Sequence, residues 1–114
     1  MRRVRKTAER VLQELVGYAH GHAMDDITVR VLCLNGRFTV ELDAPCTEVP
    51  ADLGTLKEAA YSPKRPEIEG YYQVLPVANA EQRLRRIGAL VDAASVSHAD
   101  GRLVIRVEGA GQPD

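Results

Sequence analysis

Glu14, His20, His22, Asp25, Asp26 and Asp43 are the side chains in the first half of this 114-residue chain whose types and spacing could do chemistry. His20-Gly21-His22 followed by Asp25-Asp26 carries the donor types of a metal centre. Residues two apart do not share a helix face, however, and ligand pairs on a helix favour a spacing of three or four. His22 and Asp26 have that spacing, but a single His-Asp pair leaves most of a coordination shell unfilled. The stretch is therefore expected to be a helix end and a solvated loop, not a metal site. Cys33 and Cys46 lack CxxC spacing, which points to neither a disulfide nor a metal, and Cys33 is expected on the apolar side of a strand as a small hydrophobe. No GxSxG, HExxH or P-loop pattern occurs, and no Ser or Cys lies in a nucleophile context.

These side chains need elements to position them. Val4, Ala8, Val11, Leu12, Leu15, Val16, Ala19 and Ala23 recur at intervals of three and four, forming one apolar stripe of a first helix. Arg2, Arg3, Arg5, Lys6, Glu9, Arg10 and Gln13 give it a solvated face. Gly17 and Gly21 each cost about 1 kcal/mol in a helix interior, so a close approach by a neighbour or ligand is one reason for their presence. Residues 27–34 and 37–43 flank Asn35-Gly36, the strongest short-range hairpin signal. A two-residue turn fixes the register, placing Cys33 opposite Phe38, Val31 opposite Val40 and Val29 opposite Leu42 on a core face. Arg30 faces Glu41 on the other side, where Leu32 and Leu34 are either scattered surface apolars or part of a dimer contact.

The second half repeats the plan. Asp100-Gly101 turns a hairpin between residues 94–99 and 102–108, with Ala94, Val96 and His98 sharing a face with Val107, Ile105 and Leu103. His98 is expected to pack on an apolar neighbour at the hairpin tip. Ahead of it, Asn79 and Gln82 have capping-box spacing before Leu84, Ile87, Leu90, Val91 and Ala94, giving a helix of about four turns. Asp52 is expected to cap a shorter helix through Leu53, Leu56 and Ala60, and Pro66 to start another through Ile68, Tyr72 and Leu75. The order helix, hairpin, helices, hairpin predicts an α+β fold, a two-layer α/β sandwich with helices on one face of a mostly antiparallel sheet. One domain over residues 1–108 and a flexible tail over 109–114 are expected.

Composition narrows the function classes. Lys plus Arg number 15 against 16 Asp plus Glu, so no global charge draws the chain to nucleic acid or to a membrane surface. No apolar run forms a secretory signal or spans a bilayer, which predicts a cytoplasmic protein.

Glu14-Leu15-Val16-Gly17-Tyr18-Ala19-His20-Gly21-His22-Ala23 resembles the N-box helix of the histidine-kinase-like (GHKL) ATPases, above all the small anti-sigma-factor kinases, whose pattern reads roughly E-L-V-x-N-A-x-x-H-A. Tyr18 stands where that family has the asparagine that holds the nucleotide's magnesium. After the hairpin the family places D-x-G-x-G, whose aspartate receives the adenine amino group; Asp43 matches, with Pro45 and Thr47 at the glycine positions. Residues 83–107 look like the family's last helix and closing strands, while the glycine-rich lid is not found. The resemblance covers roughly residues 8–47 and 79–108. It implies the sandwich fold, magnesium-ATP as cofactor, Glu14, Tyr18 and Asp43 around the nucleotide, and Glu14 as the base of an active enzyme.

The departures carry their own implication. Tyrosine is a poor ligand for a hard cation, and proline removes an amide donor from a phosphate site. The expectation is therefore a non-catalytic domain without cofactor, regulating or scaffolding a protein partner in anti-sigma-type signalling. Tyr61, Arg65 and Tyr71 are the candidate partner-binding residues, tyrosine and arginine being favoured interface anchors; the other reading has Tyr72 in the core with Ile68 and Leu75 and Tyr71 merely flanking it. Two alternatives stand beside this: an ATP-binding regulatory serine kinase or ATPase with an altered pocket, and a small homodimeric structural protein joined through Leu32, Leu34 and Val104.

Overall fold

In the computed structural model, residues 2–62 and 79–113 are described. A short strand β1 (Arg2–Arg3) leads into helix α1 (Val4–Gly21), followed by strands β2 (Thr28–Leu34) and β3 (Arg37–Pro45). A 3-10 turn (Ala51–Leu53) runs into α2 (Gly54–Ala60); then come α3 (Ala80–Leu90), β4 (Ala93–Ala99), β5 (Arg102–Ala110) and β6 (Gln112–Pro113). The main sheet is antiparallel in the order β2-β3-β5-β4, and β1 pairs with β6 in a separate two-stranded ribbon. The fold is the α+β sandwich expected. The helix proposed at residues 66–75 lies outside the described residues.

Both hairpins close as their turns dictate. Asn35-Gly36 and Asp100-Gly101 all have positive φ, the conformation whose twist matches that of paired strands. Cys33 lies opposite Phe38, Val31 opposite Val40 and Val29 opposite Leu42; Ala94 lies opposite Val107, Val96 opposite Ile105 and His98 opposite Leu103. Strict alternation on the central strands then buries Phe38, Val40, Leu42 and Ala44 from β3, and Leu103, Ile105 and Val107 from β5. Val11 and Leu15 of α1, Leu56 of α2, and Leu84 and Ile87 of α3 complete the core.

Four expectations change. Cys33 is exposed rather than packed, because β2 is an edge strand whose turn-proximal half runs past the helical layer. α3 is a turn shorter: Val91 is already extended, and it and Ala94 are buried by the return into β4 rather than by a helix face. Asn79 does cap this helix, its side chain accepting from the Gln82 amide at 2.9 Å. Asp52 caps nothing, since neither the 3-10 turn nor α2 has a side-chain cap. Finally, β5 continues through Gly109 and Ala110 alongside Phe38 and Arg37, and residues 112–113 pair with β1, where a frayed tail from residue 109 was expected.

Candidate functional site

Of the residues singled out on α1 and just after it, Glu14, Tyr18 and His22 are each engaged within the chain, while His20 is exposed. Tyr18 belongs to the buried stripe of α1, at 1% exposure. Its hydroxyl donates to Asp52 Oδ1 at 2.5 Å, and the second carboxylate oxygen of Asp52 lies 3.2 Å from His22 Nε2. Spacing of four along the helix brings the Tyr18 and His22 rings together, with centroids 4.5 Å apart. Burial, followed by the hydrogen bond and negative charge of Asp52, pushes the Tyr18 phenol well above its ordinary range. The group is thus held as a protonated donor to Asp52 rather than as a base.

Glu14, one turn earlier, sits between two guanidinium groups from α3. Arg83 Nη1 is 3.4 Å from Oε2 and Arg86 Nη1 is 3.8 Å from Oε1, with the carboxylate only 14% exposed. Gly17 explains how Arg83 reaches it. A side-chain carbon at residue 17 would meet the Arg83 guanidinium, so the close approach anticipated for this glycine is that of an arginine side chain from α3.

Asp43 stands apart from both. Because β3 extends to Pro45, Asp43 lies within the strand, and alternation with buried Leu42 and Ala44 turns it to the sheet face away from the helices. There it accepts from Arg102 Nε at 2.8 Å. The two resemblance-implied residues on α1 and the one on β3 are therefore separated by the sheet itself.

A groove of about 600 Å³ opens beside the Tyr18-Asp52-His22 cluster, lined by His22, Met24, Pro45, Cys46, Glu48 and Gly101 among others. Pro45 and Thr47, which stand at the family's glycine positions, line it. Cys46 is held at its wall: its amide donates to Gly101 O at 2.8 Å, its thiol to Glu48 O at 2.8 Å, and its carbonyl lies 2.6 Å from His98 Nε2. That last contact fixes His98 by a polar bond rather than the apolar packing expected. Among the described residues no three His, Cys, Asp or Glu side chains gather as a metal site, and Asp25 and Asp26 are exposed loop residues.

On the opposite flank, Tyr61 follows α2 and reaches the edge strand β4. Its hydroxyl donates to Ala94 O at 3.1 Å and lies 3.3 Å from Ala94 N, while the residue is 63% exposed. Arg65 and Tyr71 lie outside the described residues. Sequence reasoning missed Arg83, Arg86 and Arg102 as the ionic partners of Glu14 and Asp43, and read Asp52 as a helix cap rather than as the partner of Tyr18. No periodic signal links Asp52 to a tyrosine 34 positions earlier.

Compared with known proteins, the chain matches no family model and no curated relative.

Proposed function

We propose that this chain is a non-catalytic regulatory or scaffolding domain that acts through protein partners in the cytoplasm, in the manner of anti-sigma-type switches. The observation that carries the reading is the Tyr18-Asp52 hydrogen bond. Tyr18, which the resemblance aligns with the family's magnesium-holding asparagine, is instead a protonated phenol bonded to Asp52, and a phenol is a poor ligand for a hard cation. Glu14 is paired with Arg83 and Arg86, and Asp43, turned to the sheet face away from the helices, is paired with Arg102, so the two carboxylates do not converge on one site. Tyr61 supports partner binding: an aromatic ring half exposed yet tethered through its hydroxyl is presented with little conformational entropy left to lose.

The alternative, a nucleotide-binding kinase or ATPase, draws support from the groove, whose volume suits a ligand of nucleotide size. Calorimetric titration with ATP and ADP, with and without magnesium, separates the two. Absence of heat and of thermal shift at millimolar nucleotide is the outcome expected; micromolar, magnesium-dependent binding would overturn the non-catalytic reading in favour of the nucleotide one. Loss of binding to a partner on Tyr61→Ala, with native circular dichroism retained, is the outcome expected of the proposed surface.

A further inference from the structure

We propose that β2 is a dimerisation edge, pairing antiparallel with β2 of a second copy to join two four-stranded sheets into one of eight strands. The inference is independent of whether the groove takes a nucleotide. Among the described residues, β2 is bonded within the main sheet on one side only, to β3. A two-residue hairpin makes Leu34 and Arg37 a mutually hydrogen-bonded pair, so Leu32, Arg30 and Thr28 also bond to β3. The backbone groups of Val29, Val31 and Cys33 consequently point outward along the free edge.

The side chains on this edge suit another protein chain better than water. Val31 is 44% exposed, Leu32 59% and Leu34 61%, and Cys33 is exposed, so apolar groups are uncovered on both faces of the strand. Edge strands in monomers are ordinarily blunted by charge, proline, a bulge or a covering loop. β2 pairs with β3 residue for residue without a bulge and contains one charge, Arg30, which already faces Glu41. The other edge is treated differently: Tyr61 occupies the amide and carbonyl of Ala94 on β4.

A second copy is the occupant these features fit. A two-fold axis through the strand brings an identical edge whose outward groups are complementary, and a single contact removes the exposed strand of both molecules. Centred on Val31, it sets Val29 against Cys33 of the other copy and Arg30 against Leu32, burying no unpaired charge. Docking through the outer sheet face does not compete, because Thr39, Glu41 and Arg106 separate Leu32 and Leu34 from Val104 in the strand register.

The test is the molar mass of the intact chain by light scattering from micromolar to millimolar concentration, with amide exchange on the same samples. A doubled mass is expected, together with concentration-dependent protection at Val29, Val31 and Cys33 and unchanged exchange at Arg30 and Leu32. Val31→Pro deletes an outward amide that makes no ladder bond among the described residues, so it should give a monomer with native circular dichroism. Val31→Lys, which keeps the amide but adds charge to the interface, should raise the dissociation constant at least tenfold. A wild type that stays monomeric at millimolar concentration would overturn the proposal and leave the edge to an extended segment of another protein, as would a dimer that survives both substitutions.

Discussion

Cys33 and His98 are equivalent residues of two hairpins built alike, each opposite an inward-facing apolar residue of a central strand, Phe38 and Leu103. Both hairpins turn on a pair of positive-φ residues and both hold the register their turns dictate, yet their outer strands meet different surroundings. On β4, Ala94 is buried and Val96 packs against the core, with α2 alongside and Tyr61 on the edge. On β2 only Val29, near the start, is drawn against the core, and every residue after it is exposed. Register is a local property of turn and alternation; burial depends on where a distant helix layer happens to end.

That contrast can be broken by substitution. Phe38→Ala should cost about 3–5 kcal/mol, since a fully buried ring leaves a cavity. Cys33→Ala, directly opposite on the same face, should stay within about 0.5 kcal/mol. Urea melts of the two variants measure the difference, and equal losses would mean that β2 is covered in the free monomer. Tyr61→Phe strips the β4 edge of its tether and should lower stability by about 0.5–1.5 kcal/mol, with faster amide exchange at Ala94. Leu32→Ser on the exposed outer face should leave the thermal stability of the monomer within about 0.5 kcal/mol while improving solubility at high concentration.

The same division explains what could be read in advance. Asn35-Gly36, Asp100-Gly101 and the three-four spacing along α1 are short-range signals, and the elements they specify formed with the expected partners. The candidate site was legible residue by residue but not as an arrangement. Asp52 carried the spacing of a helix cap and instead closes over Tyr18, because the 3-10 turn carries it back onto the end of α1. Asp43 was expected as the last residue of its strand and lies inside it, because pairing of Ala44 and Pro45 with Leu103 and Arg102 of β5 lengthens the ladder. Long-range pairing made both decisions.

The enclosure of Tyr18 also gives the molecule an optical marker. With four tyrosines and no tryptophan, the near-ultraviolet spectrum of this chain is phenolic, and ionisation of each ring is visible as added absorbance on raising the pH. Tyr18 holds its proton beyond the ordinary phenol range, whereas the unfolded chain releases it near pH 10. The stabilisation from its protonated, hydrogen-bonded form is complete below about pH 10 and declines as the pH rises further, because the unfolded state then gains by losing the proton. An alkaline absorbance titration should therefore show a late step from Tyr18, its signal arriving together with the loss of circular dichroism; Tyr18→Phe should abolish that step.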